Sequence, residues 1–168
     1  MLSIVKLDGR MSKKFLEWIS KLQNLTKLTL NLVDSKQMDD AVKLLRSMPS
    51  LLSLSISCCD DDIGLHFQDG SFKNLKELYL KNFIGLRYIL IDEGALGSLK
   101  KLKLHDIPKL NSFPTGIQHL SKLEVLSFSY TSEEFMDSIA LEDEKEHSIF
   151  KHVLLIHSEK LLFSCNSP

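Results

Sequence analysis

The side chains best suited to chemistry in this 168-residue chain are scattered in ways that match no catalytic or metal-binding constellation. Six histidines, His66, His105, His119, His147, His152 and His157, lack the paired Cys/His spacing of a zinc site, and the interval from His152 to His157 takes those two off a common helical face. They read as surface histidines. Cys58 and Cys59 are adjacent, which suits neither a zinc knuckle nor a redox pair, so a structural use is expected. The acidic run Asp60, Asp61, Asp62 has neither the glycine nor the terminal glutamate of a calcium loop. No Gly-x-Ser-x-Gly elbow occurs, and none of the seven glycines belongs to a Gly-x-x-x-x-Gly-Lys-Ser/Thr phosphate loop. Asn24, Leu25 and Thr26 fit a glycosylation sequon only by accident, since Leu25 is a core position. These residues predict a non-enzyme with no metal and no cofactor.

Composition narrows the remaining classes. Twenty-one Lys and Arg against twenty-two Asp and Glu leave a formal charge of −1, without the basic footprint of a nucleic-acid binder. A 43% hydrophobic content fits one globular domain, while the longest aliphatic run, Val153 to Ile156, is far short of the roughly 20 apolar residues a membrane helix needs. Residues 1–14 mix Lys6, Asp8, Arg10, Lys13 and Lys14 among apolar side chains and read as no secretory signal. Three cysteines, Cys58, Cys59 and Cys165, are too few for a disulfide framework, so a reducing, cytoplasmic compartment is expected. Charge is nonetheless uneven: residues 131–146 carry seven acids against Lys145 alone, and Lys100, Lys101 and Lys103 crowd one short stretch.

What positions all these side chains is an internal repeat. The pattern Leu-x-x-Leu-x-Leu recurs at Leu2/Val5/Leu7, Leu25/Leu28/Leu30, Leu51/Leu54/Ile56, Leu75/Leu78/Leu80, Leu99/Leu102/Leu104 and Leu123/Leu126/Phe128, with Phe150/Val153/Leu155 a weaker seventh. First positions lie 23 to 27 residues apart, inside the 20–29-residue period of leucine-rich repeats. The last two apolar positions of each triplet alternate with polar ones, as a short strand requires, and stacking buries in a shared column what one repeat cannot bury alone. The expected fold is an α/β repeat solenoid: a leucine-rich-repeat horseshoe with short parallel strands on the concave face and irregular or short helical convex segments. The repeat domain should span 1–157, with a tail over 158–168.

Return segments carry inward residues of their own, Ile19 and Leu22, Leu45 and Met48, Leu96, then Ile117 and Leu120. Residues 39–48 read as a helix with Leu44, Leu45 and Met48 at helical spacing, ended by Pro49. Residues 131–141 read as another, capped by Thr131 with Glu134, its buried face formed by Phe135, Met136 and Ile139. The ninth repeat position is Cys59 and Thr131 in two repeats but Arg10, Val33, Phe83 and Ile107 in others, so no asparagine ladder forms and an irregular solenoid is expected.

Glu17 to Leu25, Gly94 to Leu102 and Phe113 to Leu123 are phrases that resemble the repeat region of plant nucleotide-binding leucine-rich-repeat disease-resistance proteins of the coiled-coil class. The resemblance covers residues 1–153, with Leu16 and Gly97 standing where the family often has proline. It implies the recognition or autoinhibitory module of an intracellular immune receptor, a piece of a larger protein. Its partners would be proteins: a pathogen effector, a guarded host protein or the rest of the parent receptor. A stand-alone intracellular scaffold or ubiquitin-ligase substrate adaptor would use the same surface. An extracellular enzyme-inhibiting repeat protein would instead need a signal peptide and cysteine-paired caps.

Such solenoids recognise partners through outward strand positions. Here these form one row of Lys6, Thr29, Ser55, Tyr79, Lys103 and Ser127, flanked by Asp8, Asn31, Ser57, Lys81, His105 and Ser129. Repeats four and five bring Tyr79, Lys81, Lys101, Lys103 and His105 together, with Glu77 beside them, an aromatic residue in a basic patch. Those five are the candidate protein-binding residues for an acidic surface, the alternative being lysines kept for solubility.

Overall fold

A computed structural model describes residues 3–145 and 149–157. Leu2, Glu146, His147 and the expected tail with Cys165 lie outside the described residues. Along the chain the elements are β1 (Ser3–Asp8), α1 (Lys13–Ser20), β2 (Leu25–Leu32), α2 (Ser35–Leu45), β3 (Ser53–Cys58), β4 (Ile63–Phe67), β5 (Glu77–Phe83), β6 (Leu86–Ile91), β7 (Lys101–Ile107), β8 (Val125–Thr131), α3 (Glu133–Asp143) and β9 (Leu154–His157). Short 3₁₀ turns occupy Ile117–His119 and Ile149–Lys151.

Seven strands, β1-β2-β3-β5-β7-β8-β9, join in one parallel sheet whose register follows the repeat. Leu28, Leu54, Leu78, Leu102 and Leu126 align across neighbouring strands, as do Leu30, Ile56, Leu80, Leu104 and Phe128. Both columns are buried. Parallel pairing demands a crossover between strands, and here each crossover returns an apolar residue to the same core, among them Ile19, Leu45, Leu96 and Ile117. Every buried leucine contributes on the order of 1.5–3 kcal/mol. In β1 the equivalent Val5 and Leu7 are only half-buried, because among the described residues that strand has a single neighbour, β2.

Several local expectations are corrected. α2 begins at Ser35 and not at Asp39, because Asp34 immediately after β2 caps it by accepting from the Gln37 N–H at 2.9 Å; Met38, Ala41 and Leu45 form its buried face while Leu44 is half-buried. Ser132, not Thr131, caps α3, accepting from the Phe135 N–H, since Thr131 still belongs to β8; Phe135 is buried but Met136 is exposed. α1, which the repeat pattern did not suggest, is capped by Ser12 and buries Leu16 and Ile19. The seventh repeat is displaced by two residues: Leu155, not Val153, stands beside Leu126, and His157 stacks on Phe128 with ring centroids 4.9 Å apart. α3 and the turn after it consume more chain than the spacing of leucines conveys.

The convex face is more regular than expected in the middle of the chain. β4 and β6 form a second, two-stranded parallel sheet, extended by a bridge from Leu90 to Thr115, and turn Leu65, Phe67, Ile89 and Ile91 inward. At the ends of the concave strands, Cys58 and not Cys59 takes the inward place, as does Leu32 rather than Val33. In repeats four and five the inward residue comes one position later, at Phe83 and Ile107. A residue in left-handed conformation precedes each, Asn82 at φ 53° and Asp106 at φ 55°.

Candidate functional site

The five candidate residues lie on two adjacent strands, facing each other in register. Tyr79 pairs with Lys103, Lys81 with His105 and Glu77 with Lys101 across β5 and β7. Alternation along each strand leaves Leu78, Leu80, Leu102 and Leu104 beneath them in the core, so the leucine columns fix where these side chains emerge.

Tyr79 is the centre of the group. Lys81 Nζ lies 5.6 Å from its ring centroid and Lys103 Nζ 5.7 Å, and the His105 ring meets it edge-on at 5.3 Å. Both ammoniums thus rest on the ring's electron-rich face, and neither forms an ion pair among the described residues. Lys101 differs, since its Nζ stands 3.5 Å from Glu77 Oε1, which offsets its charge. On the far side of His105, the Ser129 hydroxyl lies 2.6 Å from Nδ1 and the Ser127 hydroxyl 3.5 Å from Nε2. The imidazole is therefore oriented by β8 and in turn supports the tyrosine ring.

Residues outside the expected set complete the site. Asn82, Asp106 and Tyr130 recur every 24 residues, each with φ between 51° and 55°, and bend the ends of β5, β7 and β8. Asn and Asp tolerate this conformation, whereas a tyrosine in it is strained. With Tyr79, Lys81, His105 and Ser129 they line a shallow concavity of about 490 Å³. The repeat spacing could have located them, but nothing in their types announces a bend at Tyr130. The small outward residues Ser55, Ser57, Ser127 and Ser129 are buried beneath their larger neighbours, so they form a floor and not a contact surface.

A second concavity, of about 330 Å³, sits on the convex side between α2 and the two-stranded sheet, lined by Lys43, Arg46, His66 and Tyr88 among others. There His66 Nε2 stands 2.8 Å from Asp92 Oδ1, and that hydrogen bond holds the Asp92 carboxyl below its usual range. Nearby in sequence, the Ser35 N–H lowers the Asp60 carboxyl in the same way, while burial pushes the Cys58 thiol up. Among the described residues no group of three or more His, Cys, Asp or Glu is placed to hold a metal ion, and no helix is long and apolar enough to cross a membrane.

Comparison with known proteins agrees with the geometry. The profile of the leucine-rich repeat region matches residues 2–158. The chain is also similar to the disease resistance protein RPM1 of Arabidopsis thaliana, 31% identical over 136 residues, which are 81% of this chain and 14% of that protein. It thus spans about a seventh of the length of that relative.

Proposed function

Because the chain belongs to the leucine-rich-repeat family, we propose that it is the recognition or autoinhibitory repeat module of an intracellular plant immune receptor. Its role in defence is to hold another protein on the concave face of repeats four and five. Such repeat regions are non-catalytic interaction modules, and the proposed role includes no chemistry. The observation that carries the reading is the contact of Lys81 and Lys103 with the Tyr79 ring, two cations without a carboxylate partner among the described residues, on the outward side of paired strands. An aromatic anchor beside two cations that lack a carboxylate partner suits an acidic protein surface. Likeness to a disease resistance protein supports the role in defence; the proposed setting is cytoplasmic, and the proposed partner is a pathogen effector, a guarded host protein or another part of the parent receptor.

The test is quantitative capture from plant extract by the purified chain and by a Lys81→Glu, Lys103→Glu variant, at low and high salt. The proposal expects partners that the variant loses and that salt weakens, with the far-ultraviolet spectrum unchanged. Equal recovery by both proteins at both salts would overturn it.

A further inference from the structure

The same concave face changes character toward its end. The row that contains Tyr79 continues in register through Lys103 and Ser127 to Ile156 on β9, and the row beside it runs from Glu77 through Lys101 and Val125 to Leu154. Leu154 is 61% exposed and Ile156 43%, although both lie in a strand of the main sheet, and Val125 beside them is half-buried. Between this aliphatic strip and the lysines lies the low floor of Ser127 and Ser129. The surface therefore reads, across four strands, as aromatic and cationic, then small and hydroxylic, then aliphatic.

From this order we infer that the face binds an extended peptide segment that carries a carboxylate at one point and an aliphatic side chain about three residues away. The inference rests on the proposed interaction role and names the chemistry of its partner. Strands are about 4.8 Å apart, so Lys103 on β7 and Ile156 on β9 are separated by about 10 Å, which an extended chain covers in about three residues. The carboxylate meets Lys81 and Lys103, which rest on the Tyr79 ring and have no carboxylate partner among the described residues. The aliphatic side chain meets Val125, Leu154 and Ile156, and the intervening residue or two cross the floor of buried Ser127 and Ser129. A partner that was only acidic would leave the aliphatic strip in water, and one that was only apolar would leave the lysines unmatched.

The test uses short fluorescent peptides with an Asp-Glu pair and a Leu-Ile pair about three residues apart, made in both orders, with anisotropy as the readout on the full chain. The inference expects saturable binding of at least one order. It expects a loss of about tenfold with Lys81→Glu, Lys103→Glu, and a comparable loss with Leu154→Ser, Ile156→Ser. Doubling the separation between the two pairs should weaken binding to a similar degree. Binding that follows the lysines but ignores the aliphatic strip and the spacing would overturn this inference while leaving the interaction role intact. Indifference to both variants would overturn the two together. Peptide binding that appeared only after residues 158–168 were removed would make the chain's own end the occupant and likewise refute it. Circular dichroism of each variant checks that the sheet persists.

Discussion

Gly116→Ala tests whether the coil between repeats five and six is built as described. Gly116 precedes the 3₁₀ turn at Ile117 with φ of 88°, and a Cβ added there would lie 1.9 Å from the carbonyl oxygen of Ile91. A left-handed alanine costs about 1 kcal/mol by itself. The clash is with backbone, and that backbone is pinned: the Ile91 N–H donates to the Thr115 carbonyl at 2.8 Å and the Thr115 N–H donates to the Ile89 carbonyl at 2.9 Å. Relief requires lengthening one or both bonds, at about 1 kcal/mol each. Allowing about 0.5–1 kcal/mol for the stiffer unfolded chain, the net loss is about 2 kcal/mol, or a melting temperature lower by roughly 4–8 °C. Gly97→Ala is the control, because nothing lies within 4 Å of its Cβ and its backbone is not left-handed; it should be neutral or stabilising by a few tenths of a kcal/mol. Urea titration followed by circular dichroism and by Trp18 emission from the first coil reads both variants. Equal stability of the two, or a Gly116→Ala loss below about 0.5 kcal/mol, would refute the reasoning.

Leu104→Ala, in the column between Leu80 and Phe128 and fully buried, should cost about 2–5 kcal/mol in the same titration, whereas Lys103→Ala one position away should cost under about 0.5 kcal/mol. In the native protein, iodoacetamide should modify exposed Cys59 and spare Cys58, whose thiol is buried with its ionisation suppressed; peptide mass spectrometry showing equal labelling would contradict the strand register. Asp60 accepts from the Ser35 N–H at 2.7 Å and its folded-state carboxyl is held below the ordinary 3.8, so its stabilising contribution is present above that value and lost as pH falls through the lowered one. Asp60→Asn should therefore be less stable than the native chain at neutral pH, with the gap closing below about pH 4. A gap that stayed constant into strong acid would exclude the ionised acceptor.

The leucine columns were legible because they obey a rule of spacing: two inward positions per strand, repeated at nearly constant intervals, leave only one register that buries Leu28, Leu54, Leu78, Leu102 and Leu126 together. Placement of Tyr79, Lys81, Lys101, Lys103 and His105 on one face followed from the same register. What escaped the sequence depends on competition between local and distant contacts. Asp34 captures the start of α2 because a strand happens to end beside it, and Ser132 outcompetes Thr131 because the latter is still paired in β8. The second sheet was hidden by the mixed pattern of Ile63 to Phe67, where Gly64 and His66 alternate with apolar residues but in too short a run to name a strand. Displacement of the last repeat had a larger consequence, for the expected pattern put Val153 and Leu155 beside Leu126 and Phe128, places that Leu155 and His157 take, and the exposed pair Leu154 and Ile156 went unnoticed. The bend at Tyr130 likewise carries no signal in the type of the residue.

The claim at the centre of this account is that partners meet the concave face of repeats four and five. It is tested most directly by a photo-activated crosslinking residue placed at position 101, on the rim of the Tyr79 cluster, and in a second protein at position 88, where an exposed tyrosine projects from the convex sheet. After irradiation in plant extract, the account predicts a discrete crosslinked protein at position 101 that free chain competes away and that position 88 does not capture. The same competable product at position 88, with none at position 101, would contradict it.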